Sequence, residues 1–367
     1  MSERESRDRS LSRDGRGTRM RIARRSLHLA VVLSLTAGIA LLPGAPARAT
    51  FPGPNGRIAF WDFMSGQIYA VNPDGSGLLQ LTHAPEGHYA AVPRWSPDSS
   101  HIVFESDMSG PVRIWMMDAT GADQHQIVGD RPGFADFAPS YTPNGRRIVY
   151  TRCLPDGGCA LWQVRADGTH RVALTPFQDE VFDFAAAVSP DGRRIAFGRF
   201  SAGGVIGQIY VMASDGSDPQ PVTPAALEAF NPTWSPDGRY ILFGTNCCKA
   251  NSDVFVMKPN GTGIHALTAT EFPANSVPGS FSPQDDQIVF ASDRNYGDFC
   301  CVDLFLMRAN GTHESVLPTG ILGALDPQWG SAPIVTSNVA APLVVSAHGG
   351  TRSLCRGFRA LITTPCS

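Results

Sequence analysis

The stretch WSPDGRYILF, residues 234–243, contains an aromatic residue, a Ser-Pro-Asp-Gly corner and a short apolar run. In such a corner Pro presets φ for a tight turn, Asp bonds to nearby backbone N–H groups, and Gly takes the position that needs a positive φ. Apolar runs on both sides of a corner of this kind are typical of two strands joined by a turn. The stretch therefore predicts a strand, a tight turn and a second strand.

The same pattern recurs along the chain at a spacing of 46 to 48 residues. The residue before the corner is aromatic or apolar in every copy, at Trp95, Tyr141, Val188, Trp234, Phe281 and Trp329. Each complete copy continues with a run such as RIVY (147–150), a second run such as QIYVM (208–212), a Gly-containing turn and a short final run. Four short strands per period in the mid-forties predict the blades of a β-propeller.

The ends of the repeat indicate how the ring closes. The first copy begins at its second strand, and the segment DPQWG (326–330) supplies an additional first strand at the other end. We therefore predict an all-β fold over residues 50–333, namely a six-bladed β-propeller of four-stranded antiparallel blades. One blade is closed by the N- and C-terminal strands, with the segment around Trp329 beside the strand at 57–61.

The first 49 residues have the layout of a secretory signal peptide. An Arg-rich start precedes an apolar run (27–42) and a small-x-small sequence at 47–49. We expect export to the periplasm, the cell envelope or the medium, no membrane span after signal removal, and a C-terminal tail at 334–367. After position 49 the chain has 20 Lys and Arg against 29 Asp and Glu, a net charge of −9. This acidity argues against nucleic acid as a partner.

The repeat resembles the TolB-like six-bladed β-propeller family. The resemblance rests on the aromatic residue, the Ser-Pro-Asp-Gly corner, the Ile/Val-x-Phe and Ile-Tyr-Val-Met strands, Asp-Gly and Leu-Thr, and it extends over about 51–333. It implies a propeller that works in the cell envelope or outside the cell. Only a few residues separate the predicted signal peptide from the first strand, so we do not expect the N-terminal α/β domain that precedes the propeller in TolB itself.

The two faces of such a ring differ in their connections. If the strands of each blade are labelled A to D from the centre outward, the A–B and C–D turns lie on one face, here called the turn face. The B–C and D–A loops lie on the other, the loop face. The turns are tight and most carry a single Asp, which we expect to form the turn rather than to bind Ca²⁺. Binding residues concentrate in loops on a rigid scaffold, so we predict the functional surface on the loop face.

Acidic and aromatic residues crowd these loops. We predict that a ligand or partner is bound by Asp130, Phe134, Asp136, Asp179, Glu180, Asp183 and Glu228. The set suggests a pocket for a cationic or sugar-like ligand, or a docking face for a basic segment. Alternatively, the Phe rings pack between blades and the acids are solvated. We expect a monomer that binds a protein or a small polar ligand and needs no cofactor.

The eight Cys residues lie in these loops and in the tail. They are Cys153, Cys159, Cys247, Cys248, Cys300, Cys301, Cys355 and Cys366. An even number in an exported chain indicates disulfides, and Cys153 and Cys159 flank one loop tip. The two Cys-Cys pairs favour bridges between blades, and the last two Cys favour a tied tail. A four-Cys zinc site is the alternative, although the usual C-x₂-C spacing is absent.

Three functions fit these features. We predict a non-catalytic binding scaffold, and no G-x-S-x-G nucleophile motif is present in the sequence. The first alternative is a metal-dependent propeller enzyme of the polysaccharide lyase type, with His83 and His88 of the loop HAPEGH as metal ligands. The second alternative is a structural surface protein without a specific ligand.

Overall fold

The computed structural model describes residues 52–129, 132–155, 157–201, 206–246, 251–296 and 301–332. All of them lie in one compact unit of the chain. The predicted signal peptide and the predicted tail lie outside the described residues. Within the described part, no helix has the length and apolar character needed to cross a membrane.

This part of the chain is built almost entirely from β-strands, with one 3-10 helix at Ala225–Leu227. In chain order the strands are β1 (Asn55–Asp62), β2 (Gln67–Val71), β3 (Leu79–Gln80), β4 (Ala90–Trp95), β5 (His101–Ser106), β6 (Arg113–Asp118), β7 (His125–Gln126), β8 (Ala135–Tyr141), β9 (Arg147–Leu154), β10 (Gly157–Arg165), β11 (Val172–Ala173), β12 (Val181–Val188), β13 (Arg194–Ser201), β14 (Ile206–Ala213), β15 (Gln220–Pro221), β16 (Ala229–Trp234), β17 (Ile241–Thr245), β18 (Asp253–Met257), β19 (His265–Ala266), β20 (Ser276–Phe281), β21 (Gln287–Ser292), β22 (Asp303–Arg308), β23 (Ser315–Leu317) and β24 (Ala324–Ser331).

The strands form antiparallel meanders, which confirms the all-β propeller with four-stranded blades. Four sheets are separate and four-stranded, with the strand orders β24-β1-β2-β3, β4-β5-β6-β7, β16-β17-β18-β19 and β20-β21-β22-β23. Strands β8 to β15 instead form one eight-stranded sheet. It consists of two antiparallel runs, β8–β11 and β12–β15, joined by a single parallel bridge between Cys159 and Phe182. The prediction of six separate blades is wrong in this respect, because β10 and β12 are long enough to meet at the loop face.

The ring closes where the sequence predicts. Strand β24 pairs with β1, and Ile58 lies opposite Trp329. The innermost strands of the sheets, β4, β8, β12, β16, β20 and β24, contact one another in cyclic order. The first and last described strands therefore share one sheet, and they complete a ring around a central channel.

The corner of the opening stretch satisfies its own polar groups. The Ser235 hydroxyl donates to Asp237 Oδ1 at 2.7 Å, and Arg239 N–H donates to the same oxygen at 2.8 Å. Gly238 has a φ of 71°, as the corner requires. Trp234 is buried and donates its indole N–H to Ala187 O on the preceding inner strand, at 3.1 Å. The aromatic residue thus ties one sheet to the next, and the Asp forms the turn as expected.

The hydrophobic core lies between neighbouring sheets rather than within one. In one cluster, Val103 and Ile114 of the β4–β7 sheet pack with Ile148 and Tyr150 of β9, and all four are fully buried. Both faces of each sheet are covered in this way, which explains the apolar residues on both faces of the strands. Burying one such side chain is worth about 1.5–3 kcal/mol, so the packing holds the ring rigid around the channel.

Candidate functional site

Each inner strand is bulged at the level of the central channel. Five of them have a non-Gly residue with a φ between 46° and 53°, at Val92, Ala138, Ala185, Asn231 and Asp326. The pairing with the next strand shifts register at each of these points. A left-handed conformation costs about 1–3 kcal/mol for such a residue, and it concentrates at functional sites. Five aligned bulges therefore mark the channel wall as a candidate site.

A cavity of about 60 Å³ lies at these bulges, lined by residues of the inner strands. Small and apolar residues such as Ala186 and Gly279 form part of its wall. Its polar lining includes Arg94, Asn231 and Asp326. A cavity needs roughly 10–15 Å³ to hold one water, so this one has room for several water molecules or for a small polar group.

Three charged residues meet beside this cavity. Glu105 is buried, and its Oε2 accepts the Ala138 N–H at 2.7 Å. Burial, reinforced by the charge of Asp326, raises the pKa of Glu105 to about 7, against the opposing effects of that hydrogen bond and of Arg94. Burial also lowers the pKa of Arg94, which the charges of Asp326 and Glu105 oppose. The Trp61 indole N–H donates a hydrogen bond to Asp326 Oδ2 at 2.9 Å.

An aromatic mouth lies above the channel on the loop face. Phe184, Phe200 and Phe230 surround a cavity of about 280 Å³, together with Asn231 and Asn246. Asn231 and Ala185 line both this cavity and the narrow one, so the two cavities are adjacent. The channel thus has an apolar, aromatic entrance and a polar, charged throat.

Glycine residues make room for these rings. Phe230 lies opposite Gly244 in the strand pairing, and a Cβ at Gly244 would come within 2.5 Å of Phe230 Cζ. A Cβ at Gly207 would meet Phe200 Cε1 at 2.8 Å. Any larger residue at Gly207 or Gly244 would displace a ring, so these glycines shape the mouth.

Other aromatic groups near the loop face are covered by the chain's own Arg residues. The Arg152 guanidinium lies 5.1–5.6 Å from the ring centres of Phe134, Tyr150 and Trp162. Arg199 covers Phe197 and Tyr210, and Arg294 covers Phe290 and Phe305, at 4.8–5.4 Å. Among the described residues, no cation lies over Phe184, Phe200 or Phe230 in this way.

Positive charge is unevenly distributed between the two faces. In the described ranges, every fully exposed Arg or Lys lies at or beside an A–B or C–D turn. The loop face carries exposed acids in the same ranges, namely Glu86, Asp179, Glu180 and Glu271. The described part of the loop face is therefore acidic and partly apolar.

The predicted binding residues fall into three groups. Asp179 and Glu180 are exposed on the loop face, and Glu228 is half-buried at the end of the 3-10 helix. Asp130 lies outside the described residues. The other three, Phe134, Asp136 and Asp183, belong to internal contacts.

Asp136 and Asp183 lie in strands rather than in exposed loops. Asp136 is fully buried and accepts two hydrogen bonds from Arg152, at 2.7 and 3.2 Å. Asp183 is paired in the same way with Arg199, at 2.6 and 2.8 Å. Phe134 is half-buried, 6.1 Å from Phe177. The two ion pairs connect an inner strand to the next strand of the same blade, and both acids are buried rather than solvated.

His83 and His88 are not part of a metal-binding group of side chains in the described chain. Both His side chains are exposed, and His88 Nδ1 lies 3.4 Å from Asp107 Oδ1. No group of three or more His, Cys, Asp or Glu residues suited to a metal occurs among the described residues. The metal-binding alternative has no further support from this loop.

One predicted disulfide is confirmed. Cys153 and Cys159 are bonded across the loop tip between β9 and β10. Cys301 is half-buried, and the remaining five Cys residues lie outside the described residues. The bridges between blades, the tied tail and the four-Cys zinc site therefore stay predictions.

Sequence reasoning missed the channel residues Arg94, Glu105 and Asp326. Each occupies a position that is apolar, small or uncharged in most other repeats, so no recurring motif marks them. The available signal was Glu105, a lone acid directly after the apolar run HIVF. An ionisable residue at the end of a buried strand needs a partner or a function.

Comparison with known proteins supports the fold. No family model matches the chain. Over 86 residues, 23% of the chain, it is 33% identical to Dipeptidyl-peptidase 5 of Porphyromonas endodontalis, and it spans only 12% of that relative. It resembles the crystal structure of TolB from Acinetobacter baumannii with a TM-score of 0.61 and 22% identity, over 76% of this chain and 67% of that one. A candidate TolB of Agrobacterium tumefaciens gives a TM-score of 0.53 and 18% identity, over 75% and 98% of the two chains. The described part of the chain therefore has the β-propeller fold of these TolB structures.

Proposed function

We propose that the protein is an exported, non-catalytic scaffold that binds a protein or a small polar ligand through its loop face. The observation that carries the proposal is the composition of that face. Its described exposed charges are acidic, and partly exposed Phe rings surround the channel mouth. Complementary charge steers a partner and fixes its register, so a basic segment with apolar side chains is the expected partner.

Export is part of the same proposal. Disulfides persist mainly in oxidising compartments, and Cys153 and Cys159 are bonded. The N-terminal 49 residues have signal-peptide character in the sequence. We place the protein in the periplasm, the cell envelope or the medium, and we expect it to be a monomer. Its ring has six blades if each half of the eight-stranded sheet is counted as one blade.

A charge-reversal experiment tests the binding face. We would replace Asp179 and Glu180 on the loop face by Lys, and in a matched control replace Asp123 and Asp218 at two C–D turns by Lys. Both pairs change the net charge equally. The probe is an immobilised peptide of alternating Lys and Phe, with a Glu and Phe peptide for comparison.

We expect the loop-face variant to bind the basic peptide at least tenfold more weakly, and the control variant to bind it within about twofold of the wild type. Raising the salt concentration should weaken the wild-type interaction, because exposed charges are screened. Equal losses in both variants would mean that overall charge, rather than this face, attracts the peptide. No binding of either peptide would favour a structural surface protein.

A further inference from the structure

We infer that Phe184, Phe200 and Phe230 form an aromatic cage for an alkylammonium group, supplied by a small molecule or by a lysine side chain. The inference deepens the proposed binding function of the loop face. It rests on that proposed function where the ammonium group is a lysine side chain of a bound partner. It names the chemistry that the mouth of the channel recognises.

These three rings differ from the other aromatic groups of the described chain. A cation is attracted to the face of an aromatic ring within about 6 Å of its centre. Among the described residues this interaction occurs eight times, with Arg over rings in several sheets. In the described chain the three mouth rings have no such cation, and they border open space of about 280 Å³.

The backbone and neighbouring side chains hold the rings in place. Phe184 and Phe230 occupy equivalent positions on successive inner strands, each one residue before a bulge with positive φ. Each lies opposite a glycine in its sheet, Gly198 and Gly244 respectively. Phe184 also packs against Phe137, with ring centres 6.3 Å apart. A cage that is already formed loses little entropy on binding.

Acidic residues lie close in sequence to the strands that carry two of these rings. Glu228 lies two residues before Phe230 on the same stretch of chain, and its carbonyl accepts the N–H of Asn246, which lines the cage. Asp179 and Glu180 end the loop that leads into the strand of Phe184. Deeper in the channel, Asp326 adds a carboxylate, although Arg94 lies near it. An acidic entrance with apolar aromatic walls favours an organic cation over an anion or a neutral molecule.

The decisive experiment compares two ligands that differ only in charge. Choline and its neutral carbon isostere 3,3-dimethyl-1-butanol would be titrated into the wild-type protein and followed by calorimetry. We expect choline to bind at least tenfold more tightly, because the cation–π attraction acts only on the charged head. Equal affinity for the two ligands, or no binding of choline, would overturn the cage. This comparison needs no variant and therefore does not depend on a mutant that folds.

Substitutions locate the site. Phe230→Leu keeps an apolar side chain but removes the aromatic face, and it should lower choline affinity about five- to tenfold. Phe272→Leu is the matched control, since Phe272 is 66% exposed on a D–A loop and outside the cage. Equal effects of the two substitutions would place the choline elsewhere.

A competition arm separates the two sources of the ammonium group. A peptide with a central Lys flanked by Ala should displace choline if a lysine side chain is the natural occupant, and a trimethyl-lysine version should displace it more strongly. Displacement by free quaternary ammonium ions alone assigns the cage to a small molecule. The ratio of the affinities for choline and 3,3-dimethyl-1-butanol is measured without any peptide. The experiment can therefore refute the cage without refuting the acidic binding face, and the peptide experiment can do the reverse.

Discussion

Ile58 of β1 lies opposite Trp329 of β24, so residues 271 positions apart share one cross-strand pair. The Trp329 indole N–H donates to Gly56 O at 3.1 Å, and the Trp329 backbone N–H donates to Ser280 Oγ at 2.8 Å. One side chain thus joins the first strand to the last, and its backbone joins the last strand to the neighbouring sheet.

Replacing Trp329 by Ala should open the ring at this point. A buried Trp→Ala change costs about 3–5 kcal/mol of unfolding free energy. Trp234→Ala is the control, because Trp234 is equally buried but lies inside the ring. Hydrogen exchange should show lost protection in β1 for the Trp329 variant only. Similar exchange in β1 for both variants would mean that Trp329 has no special role in closure.

The stability of the fold should depend on pH through Glu105. Its pKa of about 7 in the folded protein lies above the usual 4.5, so the folded state holds the proton more tightly. The stabilisation is complete below about pH 4.5 and is lost as the pH rises through 7. The loss is on the order of 3 kcal/mol.

Denaturant unfolding between pH 5 and 8 measures this dependence. Glu105→Gln should reduce the slope, since an amide oxygen still accepts the Ala138 N–H but does not ionise, and Asp285, whose pKa burial and the charge of Asp237 raise to about 7, accounts for the remaining slope. Glu271→Gln, at an exposed site, should leave the profile unchanged. An unaltered slope in the Glu105 variant would assign the titration to another group.

Arg152 should matter for stability rather than for binding. Its side chain is buried, pairs with Asp136 and lies over three rings. Replacing it by Met leaves a buried carboxylate without its closest partner, which costs about 3–5 kcal/mol. Arg239→Met, in an exposed pair with Asp237, should cost less than about 1 kcal/mol. Thermal unfolding of the two variants compares them directly, and similar melting temperatures would refute a structural role for Arg152.

The disulfide between Cys153 and Cys159 should contribute modestly. The two residues are six positions apart, so the bond closes a short loop and removes little entropy from the unfolded chain. Replacing both by Ser should cost about 2 kcal/mol. Peptide mapping without reducing agent should recover the linked pair from exported protein. Free thiols at both positions would contradict the bond.

The repeat made most of the fold predictable. Turn chemistry is local, so each Ser-Pro-Asp-Gly corner predicts its two strands, and the constant spacing predicts the ring. The pairing of Ile58 with Trp329 followed from counting first strands. The eight-stranded sheet could not be predicted in this way, because it depends on one bridge between Cys159 and Phe182 that no turn motif encodes.

The candidate site was less predictable than the fold. Asp136 and Asp183 were assigned to loops, although each precedes a matching Arg by 16 residues, at Arg152 and Arg199. Residues 16 positions apart face each other on two strands that an A–B turn joins. The Asp and Arg at this spacing could therefore have predicted an internal ion pair. The cage was hidden for a different reason, since it depends on two glycines, Gly207 and Gly244, that make room for rings of neighbouring strands.

Among the described residues, the turn face exposes both acids and Arg or Lys, whereas the loop face exposes acids alone, so the electrostatic field at the mouth is negative. A cationic molecule that approaches from solution would encounter this field before any contact, and the propeller would rotate to present the aromatic entrance. Orientation of this kind raises the rate of productive encounters more than it strengthens the final complex. Within the part of the chain that the structure describes, the stacking of Arg152, Arg199 and Arg294 on internal rings keeps their positive charge away from the mouth.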